Sequence, residues 1–172
     1  DLMRKLLLFL FLITGMVAAA QQNCYQLFCY SEPAGWEKEE KNTFITYTYL
    51  NTAKKQWCRL AVYSAATGKG DTADFRREWD ELVLKPYEVK DKSVKPVLTV
   101  KKGWKIRRGR SSFSYSGQAS TAMLYTVSGN GLRASIVATT NDKSLFPLIE
   151  KFLTGVDINP DYKLPVKSEE VG

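Results

Sequence analysis

The chain has no histidine. Histidine is the commonest general base and the commonest metal ligand, so Ser-His-Asp centres, Cys-His centres and histidine-bearing metal sites are all excluded. Cysteine is scarce as well. Cys24, Cys29 and Cys58 are odd in number and fit no metal-ligand spacing. No apolar run approaches the roughly 20 residues that a membrane-spanning helix needs; the longest covers residues 6–17. A phosphate cradle is missing too. Residues 65–71 bring Gly68 and Lys69 together, but Tyr63 stands where the loop needs glycine and Gly70 where it needs Ser or Thr.

Hydrolysis without histidine would rest on a Ser-Lys pair or on two carboxylates. Asp80 and Glu81 are neighbours on a helical stretch and diverge, while Ser111 and Ser112 approach Lys105 only in sequence. No nucleophile–base spacing stands out, and no cofactor motif is present. The expectation is a chain that is not an enzyme, with a histidine-independent hydrolase as the alternative.

What is present is a basic chain of 172 residues with net charge +7. Arg4 and Lys5 precede the apolar run, and Ala18-Ala19-Ala20 close it. A positive start, a short apolar segment and small residues before a cut mark a secretory signal peptide over residues 1–20. The expected location is therefore periplasmic or secreted, with no transmembrane span in the mature chain. Export permits a disulfide. Cys24 could pair with Cys29, or either of them with Cys58. Residues 25–30 read as one strand, however, and on a continuous strand residues five apart face opposite sides.

Residues 120–140 are the clearest structural signal. Thr121, Met123, Tyr125 and Val127 alternate with Ala122, Leu124 and Thr126; Leu132, Ala134, Ile136 and Ala138 alternate with Arg133, Ser135 and Val137. Gly129-Asn130-Gly131 lies between the runs, and these residues tolerate positive φ, so the two strands should close as a hairpin buried on both faces. Residues 43–50 and 56–64 repeat the pattern as a second hairpin, with Cys58, Leu60 and Val62 on one face. Phe75, Trp79, Leu82 and Val83 then form a helical stripe, capped by Asp71 or Thr72 and stopped by Pro86. A second stripe is Leu145, Ile149, Phe152 and Leu153, which Asn141, Asp142 or Ser144 could cap; Pro147 favours Ser144, and Gly155 is the expected C-cap. A strand at 97–100 and a short one at 156–158 complete the pattern. Residues 37–41 read as a solvated charge run, and 159–172 as a disordered tail.

Residues 101–110 carry the densest positive charge: Lys101, Lys102, Lys105, Arg107, Arg108 and Arg110. As a strand this segment puts Lys105 and Arg107 on one face and Trp104, Ile106 and Arg108 on the other, with Gly109 as a bulge or turn. It reads either as an anion-binding patch with Trp104 as aromatic contact or as an edge strand protected by charge. Trp36, after the turn Glu32-Pro33-Ala34-Gly35, reads as a lid on the core edge or as a stacking platform. Gly35-Trp36 followed by strand, hairpin and helix recurs at Gly103-Trp104, which suggests two similar halves sharing one sheet.

The strand running into Pro33-Ala34-Gly35-Trp36, the two hairpins and the helical stretches 74–79 and 149–153 together resemble the PsbP-like family, including secreted bacterial members. The resemblance implies an α+β fold for residues 21–158, an α/β/α sandwich with a central antiparallel sheet. It also implies a binding or accessory role, and it supplies no catalytic residues. The expected function is an exported, non-catalytic binding or accessory protein of the cell envelope. Its partner would be a protein or an anionic envelope component rather than nucleic acid; the charge run 101–110 offers an electrostatic binder of anionic surfaces as an alternative.

Overall fold

A computed structural model describes residues 22–165. The predicted leader over 1–20 and the end of the tail from residue 166 lie outside the described residues. In chain order the strands and helices are β1 (Asn23–Tyr25), β2 (Phe28–Tyr30), β3 (Glu37–Glu40), β4 (Phe44–Asn51), β5 (Gln56–Tyr63), β6 (Ala66–Thr67), α1 (Asp71–Trp79), β7 (Val97–Lys101), β8 (Trp104–Tyr115), β9 (Gln118–Gly129), β10 (Leu132–Thr140), α2 (Phe146–Gly155) and β11 (Asp157–Ile158). One large antiparallel sheet runs β3-β4-β5-β10-β9-β8-β7, with β6 also on β10; β1, β2 and β11 form a small second sheet.

The β9–β10 hairpin is as expected. Leu132 pairs with Gly129, and Asn130 and Gly131 both take positive φ, the turn whose twist matches its strands. Lys102-Gly103 and Ser116-Gly117 close the β7–β8 and β8–β9 hairpins with the same signs. Every residue from Arg133 to Thr140 is buried, so β10 has no solvent face. On one side Val137, Leu124, Ala122 and Phe113 pack against Phe75, Trp79 and Val83 of the first helical segment. On the other, Ile136, Tyr125, Leu60 and Cys58 pack with Ile149 and Leu153 of α2 and with Phe28 and Tyr30 of the small sheet. One helix therefore covers each face, an α/β/α sandwich of α+β class. The two three-stranded meanders β3–β4–β5 and β8–β9–β10 meet through β5 and β10, as the Gly-Trp echo suggests, but their helices take opposite faces.

Several local expectations are corrected. Residues 25–30 are not one strand: the chain reverses at Gln26, where φ is 50°. Cys24 thereby lies opposite Cys29 in the β1–β2 register, and the two form a disulfide. Cys58 stays free and buried, and burial pushes its thiol pKa up to about 12. Residues 37–40 form the edge strand β3. Pro86 does not end its helix. After α1 the chain widens into a π turn over Asp80–Leu84, in which the Lys85 N–H reaches back to Asp80 O. A last turn, Lys85–Tyr87, then carries Pro86. The wide turn accommodates a ring that would clash with a regular i−4 carbonyl.

Gly70 occupies the N-cap of α1, so neither Asp71 nor Thr72 caps it. Of the three candidates ahead of the second helix it is Asp142, not the favoured Ser144, that acts: its carboxylate accepts from the Ser144 N–H at 2.8 Å and caps a 3-10 turn over Lys143–Leu145, while α2 itself starts after Leu145 with no side-chain cap. Gly155 is simply the last residue of α2, followed by extended Val156. Gly109 makes no bulge, because it pairs in regular register with Leu124. An added Cβ there would meet Val94 Cγ2 at 2.7 Å and Phe75 Cζ at 2.8 Å; the glycine lets helix and loop approach the sheet. The expected disordered tail does not begin at residue 159. Asn159 bonds Gln26 O and Tyr162 bonds Gln26 Oε1.

Trp79 is 3 % exposed, whereas Phe152 is half-buried and stacks edge-on against Tyr30. Trp79→Ala should therefore cost about 3–5 kcal/mol and Phe152→Ala distinctly less, measured by thermal denaturation. Equal losses would contradict this placement of the two helices.

Candidate functional site

The basic run occupies the end of β7, its turn and the first half of β8. Strand alternation sends its charges to both faces of the sheet, and tertiary packing brings an acid to five of the six. On the α1 face, Arg107 Nε donates to Asp71 Oδ2 at 2.6 Å and its Nη2 to Thr72 Oγ1 at 3.0 Å, while Lys105 Nζ donates to Asp71 Oδ1 at 3.1 Å. On the α2 face, Arg108 bonds both carboxylate oxygens of Glu150 and lies 6.0 Å from the centre of the Tyr125 ring. At the turn, Lys102 meets Asp157 at 2.7 Å, and Lys101 donates to Val156 O at 2.7 Å and lies 3.8 Å from Asp157. Arg110 has no acidic partner among the described residues. These contacts tie the β7–β8 hairpin to the start of α1, the side of α2 and β11.

The carboxylates respond. For Asp71, burial taken alone raises its pKa, but hydrogen bonds from Lys105 and Arg107 and their charges outweigh burial and hold it below the usual range. Asp157 is lowered chiefly by its hydrogen bond from Lys102, with help from the Ile158 N–H.

The two aromatic candidates part company. Trp104 is 8 % exposed in the core, and its ring lies so close to Gly129 that an added Cβ would come within 2.6 Å of Cε3. β8 is also an inner strand over residues 104–108, where β7 covers it, so the protected-edge reading does not fit that half of the run. Trp36 is half-buried against Tyr49, with ring centroids 5.6 Å apart. It lines a cleft of about 390 Å³ with Glu32, Leu148, Lys151 and Phe152.

No hydrolytic pair forms among the residues considered. Ser111 lies six residues along β8 from Lys105, about 20 Å at strand rise, and Lys105 is committed to Asp71. Asp80 and Glu81 do not simply diverge: the π turn lets both reach Lys85, at 2.9 and 2.7 Å. Among the described residues no three of Cys, Asp and Glu gather as a metal site, and no helix is long and apolar enough to cross a membrane.

Two surface hollows flank the β7–β8 edge. One, about 960 Å³, lies beside α1 with Phe75, Trp79 and Val94 on its floor and Arg76, Arg77, Lys92 and Lys95 around it. The other, about 470 Å³, lies beside α2 with Met123, Phe146 and Leu153 below and Lys95, Arg108 and Arg110 at the rim. Arg76, Arg77, Lys92 and Lys95 were legible as charges but not as neighbours, because they reach this edge from a helix and a loop. Sequence reading also missed the buried pair of Arg133 with Glu78, 2.7 Å apart. It missed the chain Tyr30–Tyr47–Glu32 too, with contacts of 3.2 and 3.0 Å.

Asp71→Asn should destabilise the protein at neutral pH. A carboxylate with a lowered folded pKa contributes stability above its unfolded value, about 3.9, and loses it as pH falls through the folded value. The difference in Tm between wild type and Asp71→Asn should shrink between pH 6 and pH 2; a constant difference would mean that the ion pairs with Lys105 and Arg107 contribute nothing.

No family model matches the chain, and no curated protein matches it. Among solved structures, a protein of Bacteroides thetaiotaomicron VPI-5482 superposes with a TM-score of 0.54 at 15 % identity, covering 81 % of this chain and 48 % of its own. The present chain thus spans about half the length of that protein. LpqN of Mycobacterium tuberculosis, described as involved in cell envelope biogenesis, gives a TM-score of 0.45 at 15 % identity, covering 77 % of this chain and 83 % of its own. At such identities the first likeness speaks to the fold alone, and it agrees with the sandwich of helices on a large antiparallel sheet.

Proposed function

We propose that the chain is an exported, non-catalytic binding or accessory protein of the cell envelope, PsbP-like in architecture, whose ligand is anionic. The leader-like residues 1–20 support export, and the overall basic charge supports an anionic neighbour. The observation that carries the reading is where positive charge is left uncompensated. Lys101, Lys102, Lys105, Arg107 and Arg108 are committed to acids within the fold. Arg76, Arg77, Lys92, Lys95 and Arg110 have no acidic partner among the described residues, and they line the two apolar-floored hollows at one sheet edge, whose acids Asp80 and Glu150 are already paired with Lys85 and Arg108. Charge around an apolar floor suits a surface or amphiphile that presents acid groups next to hydrocarbon.

The basic run contributes through Arg110, its one member without an acidic partner among the described residues, and through the scaffold that the other five hold. Reversing Arg107 or Arg108 would break structural ion pairs, so the informative variant is Lys95→Glu with Arg110→Glu. Wild type should be retained on phosphatidylglycerol-containing vesicles at low salt and released at high salt. The double variant should lose retention. Lys54→Glu with Lys55→Glu, the same charge change in the β4–β5 turn, should not. Equal retention of both variants would overturn the proposal.

A further inference from the structure

The large sheet ends on two strands of opposite character. β3 reads Glu37-Lys38-Glu39-Glu40, charged at every position and exposed throughout, with Lys38 paired to Glu32 and Glu40. An incoming strand would have to desolvate those charges, and this is how an edge is kept from pairing. β7 reads Val97-Leu98-Thr99-Val100 before Lys101, with no charge in four positions. Val97, Leu98 and Val100 are 63 %, 44 % and 65 % exposed.

The register identifies the free backbone groups. A two-residue turn makes Lys101 and Trp104 the closing pair of the β7–β8 hairpin, and such a pair exchanges both hydrogen bonds. Bonded and non-bonded pairs then alternate. Thr99 and Val97 bond inward to Ile106 and Arg108, while Leu98 and Val100 turn their N–H and C=O outward. The outer side of β7 pairs with no strand among the described residues. Apolar side chains stand on both faces of this open ladder, Val97 toward α2 and Leu98 and Val100 toward α1.

We propose that β7 is a docking edge that takes an extended segment of a partner protein by strand addition, with apolar residues at its centre and acidic residues at its ends. Backbone bonds to Leu98 and Val100 would supply affinity, and the side chains would supply selectivity. Charge decides the occupant. Lys95, which has no acidic partner among the described residues, precedes the apolar stretch, and Lys101 and Lys102, which share the one carboxylate of Asp157, follow it. A second copy, antiparallel with Leu98 opposite its Val100, would bring Lys95 of each chain beside Lys101 and Lys102 of the other at both ends, between two basic chains. Pairing β7 with β3 of another copy would match charge. It would offer Val97, Leu98 and Val100 no apolar partner, and it would propagate as an open chain. A foreign segment ending in Asp or Glu meets both requirements.

The probe is a fluorescein-labelled peptide, Asp-Val-Thr-Val-Thr-Val-Glu, with a counterpart that carries Lys at both ends. The acidic peptide should bind, by anisotropy, at least about tenfold more tightly than the lysine-ended one. It should also slow hydrogen exchange at Leu98 and Val100. Leu98→Pro removes an outward N–H without breaking the hairpin's own ladder. It should abolish binding while Tm and vesicle retention stay as in wild type. Leu98→Thr with Val100→Thr, which keeps strand propensity and removes apolar area, should weaken binding and serves if the proline variant unfolds. Equal binding of the two peptides, unchanged exchange at β7, or a dimer in sedimentation that Leu98→Pro dissolves would each overturn the proposal. None of these outcomes bears on vesicle retention through Lys95 and Arg110.

Discussion

Pairing of β5 with β10, and of β10 with β9, places a strand with no solvent face at the middle of the sheet. Each of its side chains must find cover above or below. A strand buried on both sides can be stable only if both its faces are roofed and its backbone is paired on both edges. The roofs are the first helical segment, which sets Phe75, Trp79 and Val83 on one face, and α2 with the small sheet on the other. The disulfide between Cys24 and Cys29 staples the small sheet's first hairpin, and β11 joins that sheet after α2 has crossed the large one.

The polar side chains left in these layers follow from the same constraint. Thr126 and Ser135 share a hydrogen bond across the central hairpin at 2.9 Å. Arg133, itself buried, is held by Glu78 and by the carbonyl of Thr67. Burying an ion costs several kcal/mol unless partners replace water, so removing either member leaves the other stranded. The pairs of the β7–β8 hairpin work at lower stakes because most are part-exposed and screened. Asp71, at 13 % side-chain exposure with Arg107 at 19 %, is the exception among them. The hairpin is thus tied to both roofs and to the small sheet, which holds the sheet edge still while the cations around it stay available.

That edge concentrates what the fold leaves unfinished. β3 is charged and closed to pairing, while β7 is apolar and open, with two basic hollows beside it. A fixed, uncharged backbone ladder next to unpaired cations can recognise chemistry in two ways, by main-chain bonds and by charge, without a nucleophile or a metal.

Periodicity and turn chemistry made much of this fold legible in advance. Alternation in residues 120–140, Asn130-Gly131 between its halves, and the stripes through Phe75 and Trp79 and through Ile149 and Leu153 are local patterns tied directly to strand, turn and helix geometry. The Cys24–Cys29 hairpin was hidden because Gln26 is a non-glycine residue at positive φ, which composition does not announce. Gly109 was legible as unusual but not as a contact: its partners, Phe75 and Val94, are brought there by a helix and a loop. Six cations within ten residues looked like one patch. Only the tertiary structure could divide them between two faces and supply Asp71, Glu150 and Asp157 from segments some 34 to 55 residues away. Local sequence determines which way each side chain points from its own strand; what it then meets depends on chain closure over long separations, and no local period encodes that.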